Sequence, residues 1–403
     1  MKVVCVGGGP AGLYFSLLMK RQDPAHQVAV LERDEAGATY GWGVTYWRAL
    51  IEELDAHDPV SAATIRRSSV CWQGGTAHVG QAVVHQEGDQ GHGIGRHRLL
   101  EILTDRAREL GVHVEHRREV SAPGDLPEAD LVVAADGVRS RLRQAGAEHF
   151  GPLETAGRNT YLWLGTTRAF PTFTFAFRDT PRGWIWCYAY PFDQEQGTCV
   201  VECAPETARG LGLDQCSAAE GLALMEELFA DPLQGHRLTT RQVSGGRLPW
   251  QTFRTLTNRT WHHGNLVLLG DAAHTTHYSV GAGTTLALQD AAALARALQG
   301  GGDLDVALAA YESERKAALL PVQSAARYSA QWYENLPRYL RLPPEQMFAL
   351  LGQRHSPLLP YVPPQWYYRL DQAADSLQTL KKIKRWVGPR VAGALQGRSR
   401  THV

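Results

Sequence analysis

Val3-Val4-Cys5-Val6 is an unbroken apolar run that turns abruptly into glycine. The apolar residues that follow, Leu13 with Leu17 and Tyr14 with Leu18, recur at helical spacing until Arg21 to Pro24 closes the segment. Val28 to Leu31 reads as a second buried strand ending at Glu32. This strand-turn-helix-strand order predicts the start of a doubly wound α/β domain. Leu99, Leu100, Ile102 and Leu103 mark a further helix, with a strand near Val112 and Val114, and Leu131 to Ala135 reads as another parallel-type strand stopping at Asp136-Gly137.

After about residue 155 the period changes. Phe173, Phe175 and Phe177 alternate, as do Trp184, Trp186 and Tyr188, with Pro181-Arg182-Gly183 between the runs. Period two split by a turn predicts an antiparallel hairpin, and Thr198 to Glu202 adds a third strand. Residues 205 to 235 read as helical. Leu266 to Leu269 returns to buried-strand texture, followed by long helices over Leu286 to Leu298 and Ala307 to Ser329. The expected architecture is a Rossmann-like domain (1–70, 95–154 and 259–330) interrupted by a mostly antiparallel β domain (71–94 and 155–258). A C-terminal helical region covers 331–403.

With 403 residues, 44% hydrophobic and 20% charged, the chain has an ordinary globular composition, which excludes disorder. Lys plus Arg and Asp plus Glu both number 41, so no basic surplus exists to neutralise nucleic-acid phosphates. The uncharged stretch Val3 to Met19 superficially resembles a signal peptide, but Gly7-Gly8-Gly9-Pro10 breaks it, and it is too short to span a membrane. Six scattered cysteines suit a reduced, cytoplasmic protein. The basic stretch around Lys381, Lys382, Lys384, Arg385 and Arg390 is read as a solvated helical face, with a docking strip as the alternative.

Gly7 to Gly12 satisfies G-x-G-x-x-G between a strand and a helix. Gly7 permits the tight turn, Gly9 lets a pyrophosphate approach the backbone, and Gly12 lets helix and strand pack closely. Amides at that helix start, with Pro10 and Ala11 in its first turn, face the phosphates. Glu32 lies 20 residues past Gly12, where an acid can bind ribose hydroxyls. A second glycine-acid element, Gly270-Asp271 with Gly281, Gly283 and Thr284 beyond it, offers Asp271 to a ribityl hydroxyl and a helix N-terminus to a flavin ring.

Three segments in order, Gly7 to Gly12, Asp136-Gly137-Val138-Arg139-Ser140 and Gly270-Asp271-Ala272-Ala273-His274, resemble the fingerprints of the FAD-dependent aromatic hydroxylases, the single-component flavoprotein monooxygenases. Arg96, followed by Leu99 and Leu103, matches the family's supporting arginine motif. Gly41-Trp42-Gly43-Val44 and Thr275 to Gly281 are similar to the subgroup of salicyloyl-CoA 5-hydroxylases and violacein-pathway or indole-terpenoid indole hydroxylases. The resemblance implies bound FAD held by Gly7, Gly9, Pro10, Ala11, Gly12, Glu32, Arg33, Gly43, Arg96, Asp136, Asp271, Gly281, Gly283 and Thr284. It further implies NAD(P)H as a transient co-substrate and O2 activated as a flavin C4a-hydroperoxide, so that no single side chain is an obligate catalyst. No second G-x-G-x-x-G appears for the nicotinamide.

His277, Tyr278, Trp250 and Phe253 are the expected substrate-side residues. His274 and His277 lack a third ligand of suitable spacing, so no metal is expected. The expected substrate is a small, largely apolar aromatic, an indole or related heteroaromatic in natural-product biosynthesis. An aromatic acyl-CoA thioester stays open as a rival. Gly183-Trp184-Ile185-Trp186 nearly reproduces a flavin-dependent halogenase signature but lacks its Ile and Pro, leaving halogenation a minor reading. A non-catalytic protein of flavoprotein fold, and a homodimer, also stay open.

Overall fold

The computed structural model describes residues 1–376; the basic stretch from Lys381 onward lies outside them. The N-terminal apolar run forms the strand Lys2–Val6, which sits centrally in a six-stranded sheet. Its order is His262–His263, Leu266–Leu268, Leu131–Ala134, Lys2–Val6, Gln27–Leu31 and His113–Glu115. All pairings are parallel except that of the short edge strand His262–His263. Parallel strands buried on both faces need continuous apolar runs, which is why these segments stand out in the sequence. The helices Pro10–Gln22, Arg96–Glu109, Gly283–Ala297 and Leu304–Glu334 contribute to the same core.

The second sheet has nine strands. Its order is Leu238–Thr239, Pro152–Thr166, Gly197–Cys203, Gly183–Pro191, Phe173–Thr180, Val70–Val79, Ala82–Gly95 and Gly43–Trp47, with Gln251–Asn258 also on Pro152–Thr166. The expected hairpin is present, with Trp186 opposite Phe177 and Tyr188 opposite Phe175. One pairing, Val70–Val79 with Phe173–Thr180, is parallel. Gly43–Trp47 belongs to this sheet although the sequence reading assigned it to the dinucleotide-type domain. The strand was missed because it is half glycine-flanked loop in texture and takes its partner, Ala82–Gly95, from much later in the chain.

Period two sorts the second sheet's side chains onto two faces. Ala176, Ile185, Cys187, Val201 and Cys203 pack under the helices Pro205–Gly210, Ala218–Leu228 and Ala230–Leu233. Phe175, Phe177, Trp186, Tyr188 and Val200 face the other way, against Trp332, Tyr333, Met347, Phe348 and Leu351 of the C-terminal helical region. That aromatic face, closed at one end by the C-terminal helices, borders the site.

Candidate active site

A cavity of about 1540 Å³ opens between the ends of the parallel strands and the aromatic face of the second sheet. It exceeds the roughly 300–1,000 Å³ typical of a single small-ligand pocket. One end is backbone and glycine. Gly7 adopts φ +110°, and a Cβ there would lie 2.2 Å from the Ala135 carbonyl oxygen. A Cβ on Gly12 would lie 2.2 Å from the Gly7 carbonyl oxygen and 2.9 Å from Cys5 Sγ, so helix and strand meet at a distance only glycine allows. Gly9 and Gly283 behave oppositely: a Cβ on either would meet nothing within 4 Å. Their open sides belong to cavity-lining residues. The first turn of Pro10–Gln22 carries no acidic side chain and no side-chain cap, leaving its amides for an anion.

Around this cradle, Pro10, Ala11, Gly43, Arg96, Asp271, Gly281, Gly283 and Thr284 line the cavity. Arg96 Nη1 donates to Thr39 Oγ1 at 2.6 Å, and burial lowers its pKa against the pull of Asp271 and Glu32. Asp271 is exposed to the cavity; desolvation raises its pKa, opposed by His274 and Arg96. Behind it, Asp290 is fully buried, with Oδ2 2.8 Å from His274 Nε2 and Oδ1 2.7 Å from Arg315 Nε. Burial opposes its ionisation, but those two partners outweigh it and hold the carboxyl below its usual range.

The other expected FAD residues stand one layer back. Gly7 and Gly12 shape the turn. Glu32 spends both oxygens on backbone amides, accepting from Gly8 at 2.6 Å and Asp34 at 2.8 Å. Arg33 is exposed beside Asp34. Asp136 accepts from the Arg141 amide through Oδ2, while its buried Oδ1 has no hydrogen-bond partner. An open glycine cradle at a helix start, the Arg96 and Asp271 side chains on the cavity wall beyond it and an orphaned Asp136 oxygen together fit a dinucleotide with a polyhydroxyl linker.

The far end is aromatic. Trp72, Tyr161, Phe173, Phe175, Tyr188, Tyr190 and Phe253 come from the sheet, Tyr278 from the loop side, and Tyr333 and Phe348 from the C-terminal helices. Tyr278 packs on Tyr161 at 4.4 Å between ring centroids and meets Phe253 edge-on at 5.6 Å. Of the four expected substrate-side residues, Tyr278 and Phe253 line the cavity.

Two need correction. Trp250 packs into the cluster under the 205–233 helices, its Nε1 donating to the Leu213 carbonyl at 3.2 Å. An apolar ring with a satisfied N–H is more stable there than in a wet cavity. His277 is buried behind Phe253 and Tyr278, its Nδ1 engaged by Ser279 Oγ at 2.8 Å and by the Ser279 amide. Burial pushes its pKa down to about 4, so the ring is neutral. Sequence reasoning missed Tyr161, Tyr333 and Phe348, whose assembly no local spacing announces. It also passed over Glu202, although a lone carboxylate within the apolar run of Gly197–Cys203 was a legible signal.

Comparison with known proteins agrees with this geometry. A family model for an FAD binding domain matches residues 127–324. Salicyloyl-CoA 5-hydroxylase of a Streptomyces species is 37% identical over 355 residues, covering 85% of this chain and 67% of that protein. The 5-monooxygenase of 3-hydroxy-4-methyl-anthranilyl aryl-carrier protein from Streptosporangium sibiricum is 36% identical, covering 84% and 90%. Protodeoxyviolaceinate monooxygenase of Chromobacterium violaceum is 28% identical over 89% of this chain and 96% of its own. Among solved structures, tetrameric 2-methyl-3-hydroxypyridine-5-carboxylic acid oxygenase shares the fold, with TM-score 0.68, 19% identity and coverage of 83% and 91%. With the glycine cradle, the Asp271 element and these relatives in agreement, the chain belongs to the FAD-dependent aromatic monooxygenases.

Proposed function

We propose that this monooxygenase hydroxylates or epoxidises a free, largely apolar heteroaromatic of the indole class in natural-product biosynthesis. The observation that carries this reading is the cavity's far end, walled by ten aromatic side chains. Burying a flat ring there gains roughly 25 cal/mol per Å² without a charged partner. Charge at the cavity wall is balanced: Arg96, Arg139, Arg254 and Arg354 against Glu87, Asp89, Glu154 and Asp271. Arg254 lies 3.8 Å from Glu154, and Arg354 is spent on Ser329 Oγ and the Leu351 and Ser279 carbonyls. A substrate carrying several phosphates would want unpaired arginines instead.

FAD, when bound, supplies reduction by NAD(P)H and activation of O2. The residues of this chain do the rest. Gly9 and the amides at the start of Pro10–Gln22 would hold the pyrophosphate, with Asp271 and Arg96 along the linker and Gly281 to Thr284 against the ring system. The aromatic wall orients the substrate, and the C-terminal helices bearing Tyr333 and Phe348 shield the reacting end from water. Six free cysteines suit a reducing cytoplasm, and among the described residues no helix is long and apolar enough to cross a membrane.

A second reading, an aromatic held as a thioester, is favoured by the CoA and carrier-protein substrates named for two relatives. Substrate-stimulated NAD(P)H oxidation, screened over indoles, anthranilates, phenols and aromatic CoA thioesters, separates the two, with mass spectrometry checking for one added oxygen. Stimulation by free indoles with a salt-insensitive apparent affinity supports the first reading. Stimulation confined to thioesters, weakening steeply with salt, refutes it.

A further inference from the structure

Glu202 is 1% exposed, in a strand otherwise composed of small and apolar residues. It shares a face with Val200, which lines the cavity, and stands one step further along that face. In register it sits between Tyr161 and Trp186. Its Oε1 accepts from Asn159 Nδ2 at 2.8 Å, and its Oε2 has no hydrogen-bond partner. Tyr278, packed on Tyr161 at 4.4 Å between ring centroids, brings its hydroxyl toward the same carboxyl, and Trp186, opposite Glu202 in register, has its Nε1 buried without a hydrogen-bond partner. A buried carboxyl oxygen left unpaired costs more than most folds tolerate for packing alone. The site is built around it. Tyr278 is the link to the cavity: its ring forms the wall and its hydroxyl bears on Glu202.

We infer that Glu202 is a positioning residue for this hydroxylase: through the Tyr278 hydroxyl it takes the ring N–H or O–H of the aromatic substrate and so fixes which ring carbon faces the oxidant. The inference rests on the reading of the cavity as a site for a free heteroaromatic. The substrate donor hydrogen-bonds to the Tyr278 oxygen, whose own proton is directed to Glu202 Oε2. If the protons transfer fully, one passes from substrate to Tyr278 and one from Tyr278 to Glu202, with no electrons exchanged.

The groups that set the carboxyl's charge are Asn159 and Tyr161 from one neighbouring strand and Trp186 and Tyr188 from the other. Tyr278 contributes from the loop, and Tyr333 and Glu334 from the end of the long helix. Burial dominates and raises the pKa to about 7, with the Glu334 charge adding to it and Asn159, Tyr278 and Trp186 opposing. The carboxyl is therefore mostly neutral at pH 6 and mostly ionised at pH 8, where it accepts best.

The test uses flavin-loaded enzyme and two probes, 3-methylindole and 1,3-dimethylindole, which differ in the ring N–H. Their affinities are read from perturbation of the flavin spectrum at pH 6 and pH 8. In wild type, the preference for the N–H probe should rise about tenfold between these pH values, the worth of roughly one net hydrogen bond. In Glu202→Gln it should be small and equal at both. Tyr278→Phe, which keeps the carboxyl in place, should lose the same preference. A merely structural Glu202 would weaken both probes alike and leave the pH dependence intact. The inference is overturned if Glu202→Gln, or Tyr278→Phe should the first variant not fold, retains the wild-type rise, or if wild type ignores the N–H at both pH values. Failure of the free-heteroaromatic reading shows separately, as flavin-loaded wild type whose spectrum neither probe perturbs at either pH.

Discussion

Glu202 also makes a prediction about stability that needs neither cofactor nor substrate. In the folded chain its pKa lies near 7, against an ordinary value of 4.5, chiefly because burial penalises the charged form. The native state therefore holds a proton that the unfolded state has released between pH 4.5 and 7. Stability from this group is fully present below 4.5 and is lost as pH rises through 7. At 1.36 kcal/mol for each pH unit between the two values, the loss comes to about 3 kcal/mol. The side chain is almost wholly buried, so solvent screening removes little of it. Glu202→Gln keeps the shape and can still accept from Asn159 but cannot ionise, so its contribution is flat with pH. Carboxyls with lowered pKa, such as Asp58 and Asp290, impose the opposite slope, but on both proteins equally, and drop out of the difference. Urea unfolding of the flavin-free proteins at pH 5, 6, 7 and 8 should show Gln gaining on Glu by about 2.5 kcal/mol across the range, most steeply between pH 5 and 7. Parallel stability curves would refute the reasoning, because they would mean that Glu202 titrates alike in the folded and unfolded chains.

Asp271→Ala removes the carboxylate proposed to contact the linker and should weaken FAD about 10- to 100-fold, the worth of a hydrogen bond to a charged group; unchanged flavin content after dialysis would count against that role. Gly12→Ala places a methyl 2.2 Å from the Gly7 carbonyl oxygen and must push the helix off the strand. It should cost about 1–3 kcal/mol in urea unfolding and lower flavin retention, and a neutral result would contradict the close packing. Asp290→Ala leaves the Arg315 guanidinium and His274 facing an empty site and should destabilise by about 3–5 kcal/mol. Thermal unfolding within a degree of wild type would show that Asp290 is dispensable.

The parallel sheet was legible because its signals are local. Val3 to Val6, Leu131 to Ala134 and Leu266 to Leu268 are continuous apolar runs, each followed within two residues by glycine or aspartate, and such runs fit little except strands covered on both faces. The glycine cradle was legible for a related reason. At Gly7 and Gly12 a Cβ would strike backbone atoms at 2.2 Å, so the backbone geometry itself demands the residue type and writes it into the chain. The hairpin 173–191 followed from strict alternation, which carries its own register.

Alternation, however, says only that Phe175, Phe177, Trp186 and Tyr188 share a face, not what covers each one. Phe175 and Tyr188 line the cavity, whereas Trp186, one rung away, is sealed beneath Tyr333 at 5.9 Å. That division depends on where the C-terminal helices land, nearly 150 residues later. His277 and Tyr278 are adjacent in sequence, yet Ser279 ties the first inward and the second faces the cavity. The sequence by itself determined the glycine turn and the class of chemistry, since backbone approach and strand burial are decided within a few residues. Only the tertiary structure decided which aromatics wall the cavity and that one Glu202 oxygen lies unpaired behind them. Burial and proton affinity arise from groups that meet across the fold, and no local spacing encodes that meeting.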